Sequence, residues 1–273
     1  PRRSMKAAER IAFYAARFPL VEIDATARFP PTPELCRQWV DRTPDGFTVD
    51  VQCWTLLTGG AALPDSLWED LRDEVRPELR DRRRLYLGHL TPEGRAEAWA
   101  RFRHALRPLA DAGRLGVVVL RYPAWLPPGG TARALLAEAG AELGDLPAAV
   151  ELSHPRWLRG GACEETLGLL EDAGLGFVCV DRAPEEGRPV VAATSDVAVV
   201  RLPGRSRRRW DEPGLPSAEH QAYRYTDEEL AGWLPALREL AASAAEVHVI
   251  LSNTFRDDAV TNAEGLLRLL RSV

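Results

Sequence analysis

Short apolar runs rich in valine and isoleucine recur along the whole chain, and most of the intervals between them carry helical patterns. Most of these runs are nearly continuous rather than alternating, which is typical of parallel strands covered on both faces. The alternation predicts repeated β–α–β units and a parallel sheet. We predict seven buried strands, at residues 21–25, 47–52, 116–122, 148–153, 176–181, 197–202 and 247–253.

Capping signals place several of the helices between these strands. Thr32 precedes Pro33 and Glu34, an order that favours a helix start. Gly113 follows a helical pattern as a C-terminal stop. Thr226 precedes three acidic residues and predicts one helix over 226–244. The other predicted helices cover residues 5–18, 97–113, 132–144 and 163–174.

Seven strands in a chain of 273 residues predict an α/β fold, a (β/α)8 TIM-like barrel with one strand unaccounted for. We expect that first strand upstream of residue 1, and a single barrel domain over 1–273. Residues 55–95 form the longest irregular insert, and 182–196 connect two strands without a clear helix. A doubly wound open sheet is the alternative, but no G-x-G-x-x-G follows an early strand.

Composition narrows the functional classes. The net charge of −5 argues against nucleic-acid binding by the whole surface but leaves a local basic site open. No apolar run approaches the ~20 residues that span a bilayer, so we expect no membrane span. The four cysteines have no C-x-x-C spacing and form no Cys/His cluster, so neither a metal nor another cofactor is predicted. We expect Cys53 and Cys179 to be buried thiols in a reduced, cytoplasmic, bacterial protein.

Polar residues inside or directly after the apolar strands are the candidate site, because catalytic groups of barrels lie at the carboxyl ends of strands. Residues i and i+2 share a strand face, so Glu22, Asp24 and Thr26 are expected on one face. Buried carboxylates need cations, and Arg121 and Arg201 are the expected partners of Glu22 and Glu151. Such a network is also compatible with a purely structural role. We predict as catalytic Glu22, Glu151 and His154, and as ligand-binding Asp24, Thr26, Gln52, Arg121, Trp157, Asp181, Arg201, Arg205 and Asn253.

An arginine cluster follows the strand at 197–202. If one strand precedes residue 1, this is barrel strand seven, and the loops after strands seven and eight commonly bind phosphate. Arg201 and the turn at Gly204 and Arg205 are therefore predicted anion contacts. Residues 207–209 and the block 80–84 fit solvated charge runs better.

Five motifs resemble the domain of unknown function 72 family, a bacterial TIM-barrel family, in order and spacing. They are YAARFPLVEIDATARF, WVDRTPDGFTVDVQ, VELSHPRW, VRLPGR and LSNTFRDDAVTNA, which together run from Tyr14 to the C-terminal region. The family has a further strand before the first motif, so the resemblance implies the same missing strand as the strand count. Its recurring polar residues match here at Glu22, Thr26, Glu151, His154, Trp157, Arg201, Gly204, Arg205, Asn253 and Asn262.

Other positions depart from the family pattern. This chain has Gln52 for a lysine, Ser153 for an arginine, Pro203 for a histidine and Ser252 for an asparagine. Arg121 stands where the family has glutamine, and residues 27–28 replace an aromatic pair. The resemblance therefore implies a divergent member with an altered pocket, and it transfers no established activity.

Three functional hypotheses follow. The first is an enzyme, a hydrolase or lyase, acting on an anionic small molecule such as a phosphate or carboxylate ester. Glu151 or Glu22 would be the general base, His154 the acid, and Arg201 with Arg205 the anion clamp. The second is a nucleic-acid-processing barrel, which the net acidity disfavours. The third is a binding protein or pseudoenzyme, which the departures favour. The oligomeric state is not predicted.

Overall fold

The computed structural model describes residues 7–206 and 222–272. Packing within the chain divides it into two compact units, residues 1–175 and 176–273, and each is described by itself. Among the described residues, no helix combines the length and the apolar character needed to cross a membrane.

Unit 1 contains four parallel strands that pair in sequential order. Valine-rich runs form them, and helices connect or precede them, as the sequence predicts. The strands are β1 (Leu20–Ile23), β2 (Thr48–Gln52), β3 (Leu115–Tyr122) and β4 (Ala148–Leu152). The helices are α1 (Ala7–Ala15), α2 (Pro33–Asp41), α3 (Pro92–Asp111), α4 (Gly130–Leu143) and α5 (Gly161–Asp172).

Unit 2 contains three parallel strands, also paired in sequential order. The strands are β5 (Gly176–Val180), β6 (Val197–Leu202) and β7 (Glu246–Leu251), and the helices are α6 (Asp227–Ala231), α7 (Leu234–Ser243) and α8 (Asp258–Arg271). All seven predicted strands are present, each within two residues of its predicted limits. The predicted segment 182–196 contains only a short 3-10 turn.

The single helix predicted over 226–244 is wrong, because two helices occupy this stretch with a break after Ala231. Pro235 explains the break, since a proline lacks the N–H that would bond to the carbonyl four residues earlier and its ring collides with that carbonyl. The predicted cap is confirmed. The Thr226 hydroxyl accepts from the Glu229 N–H at 3.2 Å, and the Glu229 carboxylate accepts from the Thr226 N–H at 2.9 Å.

The carboxyl end of β1 differs from its prediction. The strand ends at Ile23 and a 3-10 turn covers 25–27, so Glu22, Asp24 and Thr26 do not share a face. Asp24 is exposed, whereas Thr26 is buried. The Thr26 hydroxyl lies 2.9 Å from the Ile23 carbonyl and 2.6 Å from the Gln52 carbonyl, to which it can donate. This turn joins the ends of β1 and β2.

Large aromatic side chains fill the core of unit 1. Trp54, Trp99 and Trp157 are among its largest fully buried side chains. Trp99 on α3 also donates to the Glu138 carboxylate of α4 at 3.3 Å, and Arg95 pairs with the same carboxylate. Helices α2 and α3 pack on each other. Helix α3 also packs on β3, one of the strands that carry the candidate site.

All four cysteines are free thiols. Cys53 and Cys179 are buried, as predicted, and Cys36 is buried as well. Burial raises the pKa of Cys36 to about 12 and that of Cys179 to about 11. Cys163, in the first turn of α5, is partly exposed.

Candidate functional site

An ion pair joins the carboxyl ends of β3 and β4. Arg121 and Glu151 are register partners on these strands, and the Arg121 Nε donates to the Glu151 Oε1 at 2.9 Å. The Glu151 side chain is 6% exposed and the Arg121 side chain 49%. A nearly buried carboxylate is thus compensated by a half-exposed guanidinium, and Arg121 is one of the two arginines that the sequence predicts as partners of Glu22 and Glu151.

The other two nitrogens of the Arg121 guanidinium, Nη1 and Nη2, have no hydrogen-bond partner within the described parts of the chain. The hydrogen bond from Nε to Glu151 fixes the orientation of the guanidinium plane. The N–H groups of Nη1 and Nη2 stay available to bind a ligand. A planar fork of this kind matches the geometry of a carboxylate or a phosphate. Arg121 is therefore the predicted site residue with the clearest capacity for an external anion.

His154 lies just past the end of β4. Its Nδ1 accepts from the Arg156 backbone N–H at 3.2 Å, which caps the short 3-10 helix Pro155–Leu158. In the neutral imidazole, an accepting Nδ1 leaves the ring hydrogen on Nε2. The half-buried His154 thus presents Nε2–H as a donor in the loop that follows Glu151.

Trp157 connects the loops after β3 and β4. It is 1% exposed, and its indole Nε1 donates to the Leu126 carbonyl at 3.0 Å. Its own carbonyl accepts from the Thr166 hydroxyl at 2.9 Å. The side chain has little surface for a ligand, so the structure gives Trp157 the position of a support for the His154 loop.

The ends of β1 and β2 carry the remaining predicted residues of unit 1. Glu22 is half-buried and pairs in register with Asp50, whose carboxylate accepts from the Val117 N–H at 2.9 Å. Gln52 is 4% exposed, and its Nε2 is buried with no partner in the described residues. A cavity of about 610 Å³ opens beside these ends; it is lined by Asp24, Ala25, Ala27, Arg28, Phe29, Thr55, Ala61, Ala62 and Leu63.

In unit 2, a polar cluster surrounds the Asp181 carboxylate, whose side chain is 0% exposed. Arg205 binds it twice, from Nε and Nη2, each at 2.8 Å. The Tyr225 hydroxyl donates at 2.7 Å and the Trp233 Nε1 at 3.1 Å. We call Asp181, Arg205, Tyr225 and Trp233 the Asp181 cluster. Four donors saturate this carboxylate, so it has little capacity left to accept a proton from a substrate.

Arg205 has a second carboxylate partner. Its Nη1 donates to the Glu229 Oε1 at 3.3 Å. The hydrogen bond to Asp181 raises the pKa of Arg205 above its ordinary value, with burial opposing and the two carboxylate charges adding to the rise. Two carboxylates against one guanidinium leave an excess of negative charge around this arginine. Its predicted role as an anion contact stays a prediction, and its observed partners are structural.

Arg201 and Asn253 lie on the same unit. Arg201 is 2% exposed within β6, and its carbonyl accepts from the Asp181 N–H at 2.8 Å. The Asn253 Nδ2 donates to the Tyr223 carbonyl at 2.8 Å and to Asn262 at 2.9 Å. The Asn253 Oδ1 is buried without a partner in the described residues. Residues 207–209 lie outside the described part of the chain.

Gly204 has a backbone that other residues rarely adopt. Its φ is +96°, and a Cβ built there would stand 2.8 Å from the Tyr223 Cβ. Its N–H donates to the Tyr225 hydroxyl at 2.9 Å. Glycine is therefore required at this turn for both conformation and space, and the turn brings Arg205 onto Asp181.

Sequence reasoning missed Tyr225, Glu229 and Trp233. The local sequence around them indicates only the helix start at Thr226. It gives no sign that these residues contact Asp181 or Arg205. Among the described residues, no group of three or more His, Cys, Asp or Glu side chains is placed to hold a metal ion.

Unit 2 should lose stability at alkaline pH. Burial raises the pKa of Tyr223 to about 12, with contributions from its hydrogen bond to Glu229 and from that carboxylate's charge. The unfolded chain loses this proton near the ordinary value of 10.0, so the stability that Tyr223 contributes is complete below that pH and is lost as pH rises towards 12. Denaturant unfolding from pH 9 to 12 measures the decline. Tyr223→Phe should make it shallower, and an unchanged slope would contradict the assignment.

Known proteins resemble this chain over nearly its whole length. The UPF0759 protein YunF of Bacillus subtilis is 25% identical over 269 residues, 96% of this chain and 86% of the relative. A crystal structure of a DUF72 family protein from Enterococcus faecalis matches with a TM-score of 0.75 at 21% identity, covering 97% of this chain and 94% of the other. A DUF72 family protein from Thermotoga maritima matches with a TM-score of 0.73 at 22% identity, covering 98% and 91%.

These likenesses establish the fold. With the alternation of strands and helices seen in both units, they confirm the predicted α/β class of the TIM-like barrel type. The motifs quoted from the sequence predict the same family. The family model described as protein of unknown function DUF72 matches residues 1–273, so the chain belongs to this family.

Proposed function

We propose that Arg121, Glu151 and His154 form a site in unit 1 that binds a small carboxylate or phosphate and catalyses acid–base chemistry on it. The observation that carries the proposal is the Arg121 guanidinium, held through Nε by a nearly buried carboxylate while Nη1 and Nη2 have no partner in the described residues. An oriented cation with open donors at the carboxyl end of a strand is the usual means of fixing an anionic substrate.

Each of the three residues has a distinct part in this proposal. Arg121 binds the anion through its two open nitrogens. Glu151 acts as general base, towards water in a hydrolysis or towards carbon in an elimination. The His154 Nε2–H donates to the oxygen on which negative charge develops. Glu22 is the alternative base, and Asp24, Thr26 and Gln52 are proposed ligand contacts at the neighbouring strand ends.

The proposal rests on unit 1. Asp181, Arg201, Arg205 and Asn253 of unit 2 stay predictions. The reduced cytosol is the compartment we propose, because the four thiols of this chain are free.

A binding protein without catalysis is the second candidate. Arg121 and Glu151 neutralise each other's charge, and such an ion pair is as compatible with ligand binding alone as with catalysis. The buried Gln52 Nε2, at a position where the family pattern has lysine, lacks a partner in the described residues. Both observations favour a pocket whose chemistry has changed while its capacity for a ligand remains.

A screen of carboxylates and phosphate esters by thermal shift tests the proposal, because a ligand at 100 times its dissociation constant adds roughly 2.7 kcal/mol of stability. We expect Arg121→Gln to weaken binding of the hits at least roughly 10-fold, since a hydrogen bond to a charged group contributes about 1.5–3 kcal/mol. Arg133→Gln, another half-exposed arginine in an ion pair, is the matched control and should bind as the wild type does.

The same hits separate the two candidates. If Glu151 is a base, Glu151→Gln retains ligand binding and slows turnover by about 100-fold, the lower range for a general base. If the protein only binds, wild type converts none of the hits. Equal binding of every hit by wild type and Arg121→Gln would refute both candidates.

A further inference from the structure

A second cavity, of about 630 Å³, lies in the insert between β2 and α3. Three consecutive arginines, Arg82–Arg84, line it together with Asp81, Tyr86 and His89. We call it the arginine cavity. The sequence pattern of this block fits a solvated charge run, but the structure places all three arginines on one concave surface. The volume is within the range of ordinary small-molecule sites, about 300–1,000 Å³.

Among the described residues, the positive charge of this cavity is only partly compensated. The side chains of Arg82, Arg83 and Arg84 are exposed, and none forms a hydrogen bond or ion pair with a described residue. Asp81 is the only acidic residue in the lining, so three positive charges face one negative charge. Other arginines of unit 1 have carboxylate partners, including Arg101 with Asp70 and Arg107 with Asp145. Unpaired guanidiniums gathered in a concavity favour a multiply charged anion.

His89 is a further polar residue in the lining of this cavity. Its Nδ1 is buried without a partner in the described residues. Its ring meets Tyr86 edge to face, with 5.4 Å between centroids.

An exposed tryptophan contacts Tyr86, a residue of the cavity lining. Trp125, in the loop after β3, is 58% exposed, and its ring contacts Tyr86 edge to face with 6.2 Å between centroids. An exposed tryptophan whose ring is held at an angle by a neighbouring tyrosine offers a face on which a planar base can stack. A stacking surface beside guanidiniums is the combination that binds a base together with its phosphates.

We propose that the arginine cavity binds a nucleotide, with its phosphates on Arg82–Arg84 and its base on Trp125. This cavity does not include Arg121, Glu151 or His154. Either proposal can therefore fail while the other stands. The shared chemistry, a base with phosphate, occurs in free nucleotides and in single-stranded nucleic acid. The experiment therefore includes both sources.

Isothermal titration calorimetry with four probes tests the proposal: ADP, adenosine, pyrophosphate and a 12-nucleotide single-stranded DNA. We expect ADP to bind and pyrophosphate to bind at least about 5-fold more weakly, because base stacking contributes about 1–3 kcal/mol. Adenosine, which lacks the phosphates, should give no measurable heat. Tighter, strongly salt-dependent binding of the DNA would identify a strand as the source; stronger binding of ADP would identify a free nucleotide.

Two variants assign the binding to this cavity. Trp125→Ala should weaken ADP binding roughly 10-fold without changing that of pyrophosphate. The triple variant Arg82→Gln, Arg83→Gln, Arg84→Gln should weaken both at least 10-fold. Arg37→Gln, an exposed arginine on α2, is the control and should leave both unchanged. The altered side chains are exposed, so thermal unfolding should verify that each variant stays folded.

Three results would overturn the proposal. The first is that neither ADP nor the DNA binds. The second is that ADP binds the triple variant as tightly as the wild type. The third is that pyrophosphate and ADP bind equally and Trp125→Ala has no effect, because that describes a nonspecific anion surface.

Discussion

Asp181→Ala should lower the free energy of unfolding by about 3–5 kcal/mol, because it removes one partner of a buried ion pair and leaves the other without compensation. Arg205, Tyr225 and Trp233 each lose the acceptor of a hydrogen bond between 2.7 and 3.1 Å long. Glu229 remains for Arg205 at 3.3 Å, but Tyr225 and Trp233 are buried and depend on Asp181 at those atoms. Urea unfolding at pH 7 measures the loss.

Two further variants define the cause of that loss. Asp181→Asn keeps the size of the side chain and one acceptor oxygen, but its NH2 group faces another hydrogen-bond donor of the cluster. We therefore expect it to lower the free energy of unfolding by less than Asp181→Ala does. Asp257→Ala removes a carboxylate that is 73% exposed and pairs with Arg224 at 2.9 Å, and such surface pairs contribute about 0–1 kcal/mol. A loss for Asp181→Ala no larger than that of Asp257→Ala would show that the cluster is not structural.

Trp157→Ala should also lower the free energy of unfolding by about 3–5 kcal/mol, the usual result of replacing a fully buried tryptophan. The variant opens a cavity between the loops after β3 and β4. It also removes the indole N–H that donates to the Leu126 carbonyl. Trp157→Phe keeps most of the ring and loses the N–H, so the expected loss is about 1–3 kcal/mol, the range for an unsatisfied buried acceptor. Chemical denaturation of both variants provides the measurement.

Trp125→Ala is the matched control for Trp157, since its side chain is 58% exposed. Its effect on stability should stay within about 0.5 kcal/mol, as for most surface substitutions. The family resemblance makes Trp157 a ligand-binding residue, whereas the packing makes it a support. If Trp157→Ala retains wild-type stability and loses a ligand identified by the thermal-shift screen, the family-based assignment is right and the structural one is wrong.

The strands were predictable because their signal is local. A run such as 116–122 needs only its own valines and leucines to become a buried strand. The Arg121–Glu151 pair was predictable for a related reason, since a buried carboxylate at a strand end needs a cation and the preceding strand has an arginine as its penultimate residue. The break between α6 and α7 was also readable from Pro235, and a strong periodic pattern on both sides concealed it.

The missed features depend on the tertiary fold. Nothing near Trp233 or Tyr225 in the sequence indicates that both reach Asp181, which lies more than forty residues away. The turn after Ile23 ends β1 because Thr26 bonds to a carbonyl on β2, a contact that one segment alone does not specify. The charge run at 82–84 could not reveal whether its counterions are present, because carboxylate partners such as Asp70 for Arg101 and Asp145 for Arg107 lie more than thirty residues away in the chain.

Cys163 gives the protein a natural attachment point for a reporter. It is the one thiol of the four that is not buried, and it lies in the first turn of α5, immediately after the loop that carries His154. A maleimide fluorophore added to the unaltered protein under native conditions would therefore attach mainly at this position. Its emission would then follow ligand arrival beside the His154 loop in a chain that needs no engineered cysteine.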